Sequence, residues 1–339
     1  MRRSTTALIL IAIAVVAVAL ALRSGTDDAS DDAQATTTSQ SESTPTTGQT
    51  ASSTTIASST TTTSPPIPPG TQVCDLFNEV AISGAVLNPE LVEASGLAAS
   101  RTTPDVLWSH NDSRGGPILY AFGTDGADLG GHEIEGAFAL DWEDMGAGPD
   151  SSGKGHYLYV GDLGDNFGIR DGLVSVWQVP DRDPAELGGV FTDPVPIVLE
   201  MPDGPYDAEA LFIDPVEPAL YIVTKSRSEA FVFKGPMTPS SEPHLMELVS
   251  TLFLGAEVSG ADMSPDGAVL AFRGYDSVWM WSRTAGQTIA EALATEPCTA
   301  PSPEERQGEA IALTSDWGYY TVSEGSNPDI HRVSPERDS

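Results

Sequence analysis

The sequence predicts an all-β protein folded as a five-bladed β-propeller. A short phrase, in which a small or acidic pair precedes an apolar residue, occurs five times between Ser95 and Ile311. The apolar anchors of these repeats lie about 50 to 65 residues apart, which is the spacing of four-stranded propeller blades. A turn rich in Pro, Gly and Asp follows each anchor, and two apolar strands come after it. The anchors are Leu97, Met145, Leu211, Met263 and Ile311.

Stretches of β-branched and aromatic residues between turn signals predict the outer strands of each repeat. Second strands are predicted at 106–109, 157–161, 219–224, 269–273 and 318–323. Third strands are predicted at 118–122, 174–178, 231–233, 278–281 and 330–333. Fourth strands are predicted near 132–134, 197–200, 245–254 and 288–294, whereas the fifth repeat is too short to contain one.

A strand at 80–86 precedes the first repeat and has no blade of its own. If this N-terminal strand completes the fifth blade, the ring closes and leaves no open sheet edge at the junction. Cys74 and Cys298 lie on either side of the junction. In an exported chain they predict a disulfide, with two buried free thiols as the alternative. A six-bladed ring is also open, because the interval from Met145 to Leu211 is long enough for a further sheet.

Residues 1–23 predict export. Two arginines precede an uninterrupted run of small and apolar residues at 7–22, and Arg23 follows it. Such a segment is either a cleaved signal peptide or an N-terminal membrane anchor. We therefore expect a secreted protein or a single-pass protein of the cell membrane, with the propeller outside the cytoplasm. Residues 24–70 are rich in Ser, Thr and Pro, and they predict a disordered linker before a propeller domain at 71–335.

The charge of the chain limits its partners. The formal net charge is −33, from 16 Lys and Arg against 49 Asp and Glu. This excess of acid argues against binding to nucleic acids or to acidic membrane surfaces, so any membrane contact is expected through the N-terminal segment alone. The expected partner is a cation, or a small molecule or glycan held with the help of a cation. We expect the protein to be a monomer.

Propeller topology predicts where the charged residues meet. The innermost strand of each blade begins at one face, turns at the opposite face, and is followed by a strand that returns to the first face. Residues just before the anchors therefore meet residues at the ends of the second strands. Both sets contain many carboxylates, and the returning strands also bring Lys225, Arg227 and Arg273. The sequence thus predicts a funnel that is acidic at its centre and has a few cations at its rim.

Carboxylates that converge from several blades repel one another unless a cation lies among them or some are protonated. Calcium fits such a site, because it accepts six to eight oxygen ligands with loose geometry. Zinc fits poorly, since none of the five histidines falls at the repeat positions. The alternative is that these acids cap strands or face water in the tunnel. The candidate metal ligands are Ser95, Glu143, Asp144, Glu209, Asp262 and Glu309.

Several phrases of the chain resemble the SdiA-regulated propeller domain and the propellers with phytase-like, esterase-like activity. These phrases are Glu93-Ala94-Ser95-Gly96-Leu97, Asn111-Asp112, Asp207-Ala208-Glu209-Ala210-Leu211, Gln307-Gly308-Glu309-Ala310-Ile311 and Tyr320-Thr321-Val322-Ser323-Glu324. The resemblance covers most of residues 90–335. It implies an extracytoplasmic propeller with a ligand or substrate site on one face.

A second resemblance concerns the residues two positions before the anchors. The column Ser95, Glu143, Glu209, Ala261 and Glu309 is similar to the serine and glutamate ring that holds calcium in five-bladed calcium-activated nucleotidases. Ala261 departs from that pattern, and its neighbour Asp262 is a substitute ligand. The resemblance implies a calcium-dependent hydrolysis of phosphoric esters or anhydrides. In that reaction Asp112 or Asp162 would orient water, and Lys225, Arg227 and Arg273 would contact phosphate.

Three classes of function are therefore open. The first is a binding module that holds a small ligand or glycan through a calcium-organised funnel, and the scarcity of histidine suits a site without general-base chemistry. The second is the calcium-dependent phosphohydrolase. The third is a protein-interaction propeller without catalysis. Chelator-sensitive phosphate release distinguishes the enzyme, whereas a chelator-sensitive melting temperature without turnover distinguishes the binding module.

Overall fold

The computed structural model describes residues 71–112 and 115–336, and the strands of this region form five sheets. The innermost strands of the five sheets contact one another in a closed ring, so the sheets are the blades of a five-bladed β-propeller. The fold class predicted from the repeats is confirmed. The predicted segments 1–23 and 24–70 lie outside the described residues. Within the described residues, no helix is both long and apolar enough to cross a membrane.

The blades are numbered in chain order, and the strands of each are given from the axis outward. Blade 1 contains β2 (Ala94–Ala99), β3 (Val106–Asn111), β4 (Ile118–Gly123), β5 (Asp128–Ile134) and β9 (Val190–Phe191). Blade 2 contains β6 (Trp142–Gly148), β7 (Tyr157–Asp162), β8 (Leu173–Pro180), β10 (Val195–Glu200) and β14 (Ser240–Leu245). Blade 3 contains β11 (Ala208–Asp214), β12 (Ala219–Thr224), β13 (Ala230–Gly235) and β15 (Glu247–Leu252).

Blade 4 contains β16 (Gly260–Met263), β17 (Val269–Gly274), β18 (Ser277–Ser282) and β19 (Cys298–Ala300). Blade 5 contains β20 (Gly308–Leu313), β21 (Tyr319–Ser323), β22 (Asp329–Pro335) and β1 (Phe77–Ala85). Two short helices, α1 (Pro184–Leu187) and α2 (Ile289–Leu293), and a 3-10 turn at Val73–Leu76 lie outside the sheets. The predicted closure is confirmed, because β1 pairs antiparallel with β22 and completes blade 5.

The long interval after Met145 does not contain a sixth blade. Its additional residues form α1 and β9, and β9 leaves its own repeat to pair in parallel with β5 at the outer edge of blade 1. In the same way, β14 pairs in parallel with β10 of blade 2. Each of these strands links a blade to the preceding one at the periphery.

The prediction of a strand at 288–294 was wrong, because this segment forms α2. Thr288 caps the helix, since its hydroxyl accepts from the Glu291 amide at 3.2 Å and its own amide donates to Glu291 Oε2 at 2.9 Å. Ile289, Ala292 and Leu293 recur with helical spacing and are buried against blade 3 and blade 4. The fourth strand of blade 4 is instead β19, which begins at Cys298.

The core consists of apolar layers between adjacent blades. One layer packs Phe212 of β11 on Tyr221 of β12 with parallel rings 4.7 Å apart, and Phe272 of blade 4 lies 5.9 Å from Phe212. Every residue of β2, β6, β11, β16 and β20 is buried. Burial of whole strands explains why the repeats are recognised by their apolar anchors.

The predicted disulfide is confirmed. Cys74 and Cys298 are bonded, with their Cα atoms 5.9 Å apart. The bond joins the turn before β1 to β19, so it connects the strand that closes blade 5 with the outer edge of blade 4. It thereby fixes the junction at which the ring closes. For a closed loop of more than 200 residues, loop entropy alone suggests a stabilisation of about 5 kcal/mol as an upper value.

The two faces of the propeller are chemically different. We call the face at which the innermost strands begin the carboxylate face, and the face with the turns after these strands the hairpin face. β20 and β22 run in the same direction, because both pair antiparallel with β21. Pro335 at the end of β22, and its partner Phe77 at the start of β1, therefore lie toward the hairpin face.

Candidate functional site at the carboxylate face

β-Bulges place the polar residues of four repeats. In blades 1, 2, 3 and 5, the pairing of the innermost strand with the next strand shifts by one residue at the position two before the anchor. A bulge of this kind turns the side chain of the additional residue away from its regular direction. Blade 4 has no such shift, since Gly260 pairs with Arg273 and Ala261 with Phe272 in regular register. The repeat that has alanine in this column is therefore also the one without a bulge. The bulged positions are Ser95-Gly96, Glu143, Glu209 and Glu309.

Three carboxylates meet where blade 1 and blade 2 adjoin. One oxygen atom from each of Asp112, Asp141 and Glu143 lies within 4.8 Å of the other two, and we call these residues the acidic cluster. Asp112 follows β3, and its amide donates to the carbonyl of Glu93 at 3.0 Å. Asp141 directly precedes β6, and its carbonyl accepts from the amides of Leu163 and Gly164. The cluster therefore combines residues from both sets that topology predicted to meet.

Few donors from the described residues reach the acidic cluster, although the Asn166 side chain hydrogen-bonds to Asp141. Glu143 is only 4% exposed, and no residue in the described part of the chain donates a hydrogen bond to its carboxylate. Asp112 Oδ1 is also buried without a hydrogen-bond partner among the described residues. Burial, together with the charges of Glu209, Asp112 and Asp141, raises the pKa of Glu143 well above its ordinary range. Burial likewise raises the pKa of Asp112 to about 6.

Because Gly164 has no side chain, it leaves room for the carboxylates of the acidic cluster. A Cβ atom at this position would lie 2.0 Å from Glu143 Oε1 and 2.5 Å from Asp141 Oδ2. Any other residue at 164 would therefore force both carboxylates to move. The cluster thus depends on the close approach of a glycine backbone, which is one of the few requirements that only glycine meets.

The other residues of the predicted calcium ring have separate partners. Ser95 Oγ donates to the carbonyl of Glu143. Glu209 Oε1 accepts from Lys225 Nζ at 2.5 Å, and Glu309 Oε1 accepts from Gln307 Nε2 at 2.7 Å. The charge of Glu209 acts on both Glu143 and Glu309, but the oxygen atoms of these three carboxylates do not all lie within 4.8 Å of one another. Of the four ring residues, only Glu143 belongs to the acidic cluster.

Lys225 is an internal counter-ion of this face. Its ammonium group contacts Glu209 and lies 5.9 Å from the centre of the Tyr275 ring. Burial alone lowers the pKa of Lys225, but the contact with Glu209 outweighs this effect and raises it above its ordinary value. Lys225 was predicted as a rim cation for phosphate, and the structure instead pairs it with a carboxylate.

Asp144 and Asp262 do not join the acidic cluster. Asp144 Oδ1 accepts from the amide of Met145 at 2.8 Å, and Asp144 Oδ2 accepts from Leu211 N at 2.8 Å and Ala261 N at 3.0 Å. This carboxylate therefore links blades 2, 3 and 4. Asp262 links blades 4, 5 and 1, since Oδ2 accepts from Leu313 N at 2.7 Å and lies 3.7 Å from Arg101 Nη2. The carboxylates of both residues thus tie neighbouring blades together through backbone amides.

The remaining catalytic candidates are also held by other residues. Arg273 is fully buried and donates to Glu305 Oε2 at 2.7 Å, so its guanidinium is withdrawn from the surface. Arg227 is exposed at the rim and contacts Glu257 at 3.2 Å. Asp162 pairs with Arg170 and accepts from the amides of Leu140 and Asp141 at 3.2 and 3.1 Å. Asp162 therefore positions Asp141. Among the five candidates, Asp112 alone lies in the acidic cluster.

Asp141 is the cluster residue that the sequence did not select as a ligand. It lies one residue before the strand and falls outside the column of bulged residues. Its position depends on Asp162, Leu163 and Gly164, which hold the backbone of the 138–141 loop. The signal that identifies it is the acid-rich phrase Asp141-Trp142-Glu143-Asp144 opposite Asp162-Leu163-Gly164, a pairing that becomes evident only with the strand register.

No family model matches the chain, and no curated protein matches it. Among solved structures, the chain is similar to the PQQ-bound aldose sugar dehydrogenase of Streptomyces coelicolor, with 12% identity over 76% of this chain and 98% of that chain and a TM-score of 0.41. It is also similar to the apo form of the soluble aldose sugar dehydrogenase of Escherichia coli, with 12% identity, 76% and 99% coverage and a TM-score of 0.42.

A gluconolactonase of Xanthomonas campestris is similar at 13% identity over 81% of this chain and 98% of that chain, with a TM-score of 0.39. Identities and scores of this size assign no activity. These structures carry no argument about the families that the repeat phrases resemble, so those resemblances stay predictions. The function of this chain has to be inferred from its own residues.

The buried carboxyl groups of the carboxylate face predict that the protein becomes less stable as the pH rises from 5 to 8. Burial raises the pKa of Glu309 to about 8, and the charges of Glu324 and Glu209 also raise it. The hydrogen bond from Gln307 lowers this pKa but does not outweigh burial. A carboxyl with a raised pKa binds its proton more tightly in the folded state, so it stabilises the fold at low pH and loses this effect as pH rises toward 8. In chelator, the free energy of unfolding is expected to fall by about 2 kcal/mol between pH 5 and pH 8.

Urea unfolding at pH 5, 6, 7 and 8 measures this slope. In the Glu309→Gln variant the slope is expected to be shallower, because one of the responsible carboxyls is absent. A stability that rises across this interval in both proteins would contradict the assignment.

Proposed function

We propose that this protein is an exported calcium-binding propeller that uses the cation at its carboxylate face to hold a small ligand. The observation that carries the proposal is the buried carboxylate of Glu143, which has an oxygen atom within 4.8 Å of oxygen atoms of Asp112 and Asp141. Oxygen atoms bound to one calcium ion at about 2.4 Å lie no more than about 4.8 Å apart, so this spacing suits a shared cation. Burial and then the charges of neighbouring acids raise the pKa values of the cluster, and a divalent cation would offset both effects.

The donor set favours calcium over other metals. All three cluster residues offer carboxylate oxygens, which suit calcium or magnesium and not zinc. The carboxylates come from two segments, Asp112 after β3 and Asp141 with Glu143 at the start of β6. Calcium tolerates the loose geometry of such a site better than magnesium does. The bound ion would supply a fixed positive charge and open coordination positions. Asp112, Asp141 and Glu143 would hold it, while Asp162 and Gly164 keep Asp141 and Glu143 in position.

The surroundings favour binding over phosphate hydrolysis. The hydrolytic alternative requires cations that contact phosphate, but Arg273 is buried against Glu305 and Lys225 is paired with Glu209. Of the three cations predicted to contact phosphate, Arg227 alone is exposed, and it contacts Glu257. Asp207 also lies close enough to act on Asp141, and its charge disfavours an incoming anion. The exported state is part of the proposal and rests on the N-terminal run of the sequence.

Calcium titration of the metal-free full-length protein tests the proposal. Calorimetry is expected to show about one bound ion, and calcium at a hundredfold excess over Kd is expected to raise the melting temperature by about 5 to 10 °C. The chelator should reverse the shift, and magnesium should produce a smaller one. Absence of calcium binding at pH 8 would overturn the proposal. Calcium-dependent release of phosphate from nucleotides or phytate would replace it with the enzyme.

A further inference from the structure

A cavity on the carboxylate face lies near the acidic cluster. It is a cavity of about 240 Å³ between the segment before β11 and the loop that joins β12 to β13. Its lining residues are Pro205, Tyr206, Asp207, Thr224, Lys225, Ser226, Ser228, Glu229 and Phe231. The cavity is therefore formed by blade 3, beside the blade that supplies Glu143.

The lining of this cavity contains both aromatic and polar side chains. Tyr206 and Phe231 are half-buried, and their rings meet edge to face with centres 5.5 Å apart. Tyr206 also packs on Phe233 at 5.2 Å, which fixes the orientation of its ring. Thr224, Ser226 and Ser228, which carry hydroxyl groups, and Lys225 also belong to the lining. A pocket lined by both apolar and polar groups suits a molecule that has both kinds of surface.

A short chain of contacts connects the cavity with the cluster. Asp207, in the cavity wall, accepts from the amide of Asp165 at 2.9 Å. The preceding residue, Gly164, lies against the carboxylates of Glu143 and Asp141. Lys225, which also lines the cavity, is bonded to Glu209 on the neighbouring bulge. A ligand in the cavity would thus lie next to an ion in the acidic cluster.

The coordination number of calcium constrains the chemistry of this ligand. The cluster supplies three carboxylate oxygens within reach of one ion, whereas calcium takes six to eight oxygen ligands. Several positions are left for water or for oxygen atoms of a ligand. The neighbouring carboxylates disfavour an anionic ligand, so neutral hydroxyl groups are the oxygen donors that fit this face.

From these observations we infer that the carboxylate face binds a neutral carbohydrate. Adjacent hydroxyl groups of the sugar complete the coordination of calcium at Asp112, Asp141 and Glu143. The C–H face of the sugar ring packs on Tyr206 in the cavity beside Lys225. The inference rests on the proposed calcium site, and it adds the chemical class of the ligand and the residue that recognises its ring.

Saturation-transfer NMR and calorimetry with the full-length protein test the inference. The probes are D-ribose, methyl α-D-mannoside and myo-inositol, each with calcium or with chelator, and ribose 5-phosphate as the charged counterpart of ribose. At least one neutral probe is expected to bind only with calcium, and ribose 5-phosphate is expected to bind more weakly than ribose. Tighter binding of ribose 5-phosphate would overturn the inference in favour of an anionic ligand.

Variants separate this inference from the calcium site itself. Tyr206→Ala is expected to weaken sugar binding about tenfold and to leave calcium affinity unchanged, because the loss is that of an aromatic packing surface. Tyr206→Phe should retain sugar binding. Tyr157→Ala, a half-buried tyrosine toward the hairpin face, is the matched control and should bind sugar normally. Calcium binding without binding of any neutral probe, or equal sugar affinity in Tyr206→Ala, overturns the inference alone. Loss of calcium binding in the unmodified protein overturns the proposed function.

Discussion

Replacement of Glu143 by glutamine is expected to reduce calcium affinity at least about a hundredfold and to leave the fold intact. Glutamine keeps the shape of the side chain but removes a charged ligand from a site that has only three carboxylates. The raised pKa of Glu143 means that its carboxyl carries a proton in the metal-free protein near neutral pH. Glutamine resembles this neutral form, so the metal-free melting temperature should change by no more than about 2 °C.

Glu309→Gln is the matched control for this prediction. Glu309 also occupies a bulge on an innermost strand, but its carboxylate accepts from Gln307 and lies outside the acidic cluster. Calorimetry should therefore show near-normal calcium binding in Glu309→Gln and none in Glu143→Gln at micromolar protein. Equal losses in the two variants would support an axial ring of all the repeat residues instead. Calcium binding by unmodified protein should also release protons, measurable from titrations in buffers with different ionisation enthalpies.

Replacement of Asp144 by alanine is expected to destabilise the protein by about 3 to 5 kcal/mol. The substitution leaves the amides of Met145, Leu211 and Ala261 without their acceptor in the interior of three different blades. Each buried donor that loses its partner costs about 1 to 3 kcal/mol. The calcium response should persist in the folded fraction, since Asp144 is not a cluster residue.

Urea unfolding in chelator measures this loss. Asp144→Asn should lie between alanine and the unmodified protein, because the amide oxygen can still accept from one of the two neighbouring blades. Glu200→Ala removes an exposed acid at the end of β10 and should change the free energy of unfolding by less than about 0.5 kcal/mol. A loss as small in Asp144→Ala as in Glu200→Ala would contradict the role of Asp144 as a tie between blades.

The sequence predicted five blades, with six as the open alternative, because each repeat has to bury a whole innermost strand. The anchors, from Leu97 to Ile311, therefore carry a periodic apolar signal that survives large changes in loop length. The prediction of a strand at 288–294 was wrong because a helix-start signal was overlooked. Thr288 and Glu291 form a capping box, and this motif starts a helix whatever the expected place of the strand.

The site was predicted less well than the fold, because side-chain directions depend on strand register. The column of glutamates was recognised. The sequence alone does not reveal the bulges that turn these side chains, nor the different partners of Glu209 and Glu309. Arg273 precedes a turn, which is the position expected of a rim residue. Its guanidinium is nevertheless buried, because it donates to the carboxylate of Glu305 from another loop. Sequence spacing locates residues along a strand, whereas their partners come from other blades.

Both ends of the described propeller are on one side, since Phe77 and Pro335 pair near the turns that follow the innermost strands. An affinity tag, a surface linkage or an anchor attached at either end of the propeller would therefore lie on the side opposite Asp112, Asp141 and Glu143. Protein immobilised through its N-terminus would present these three acids to the medium. Sensor surfaces made in this way would keep the cation-binding side accessible to soluble probes.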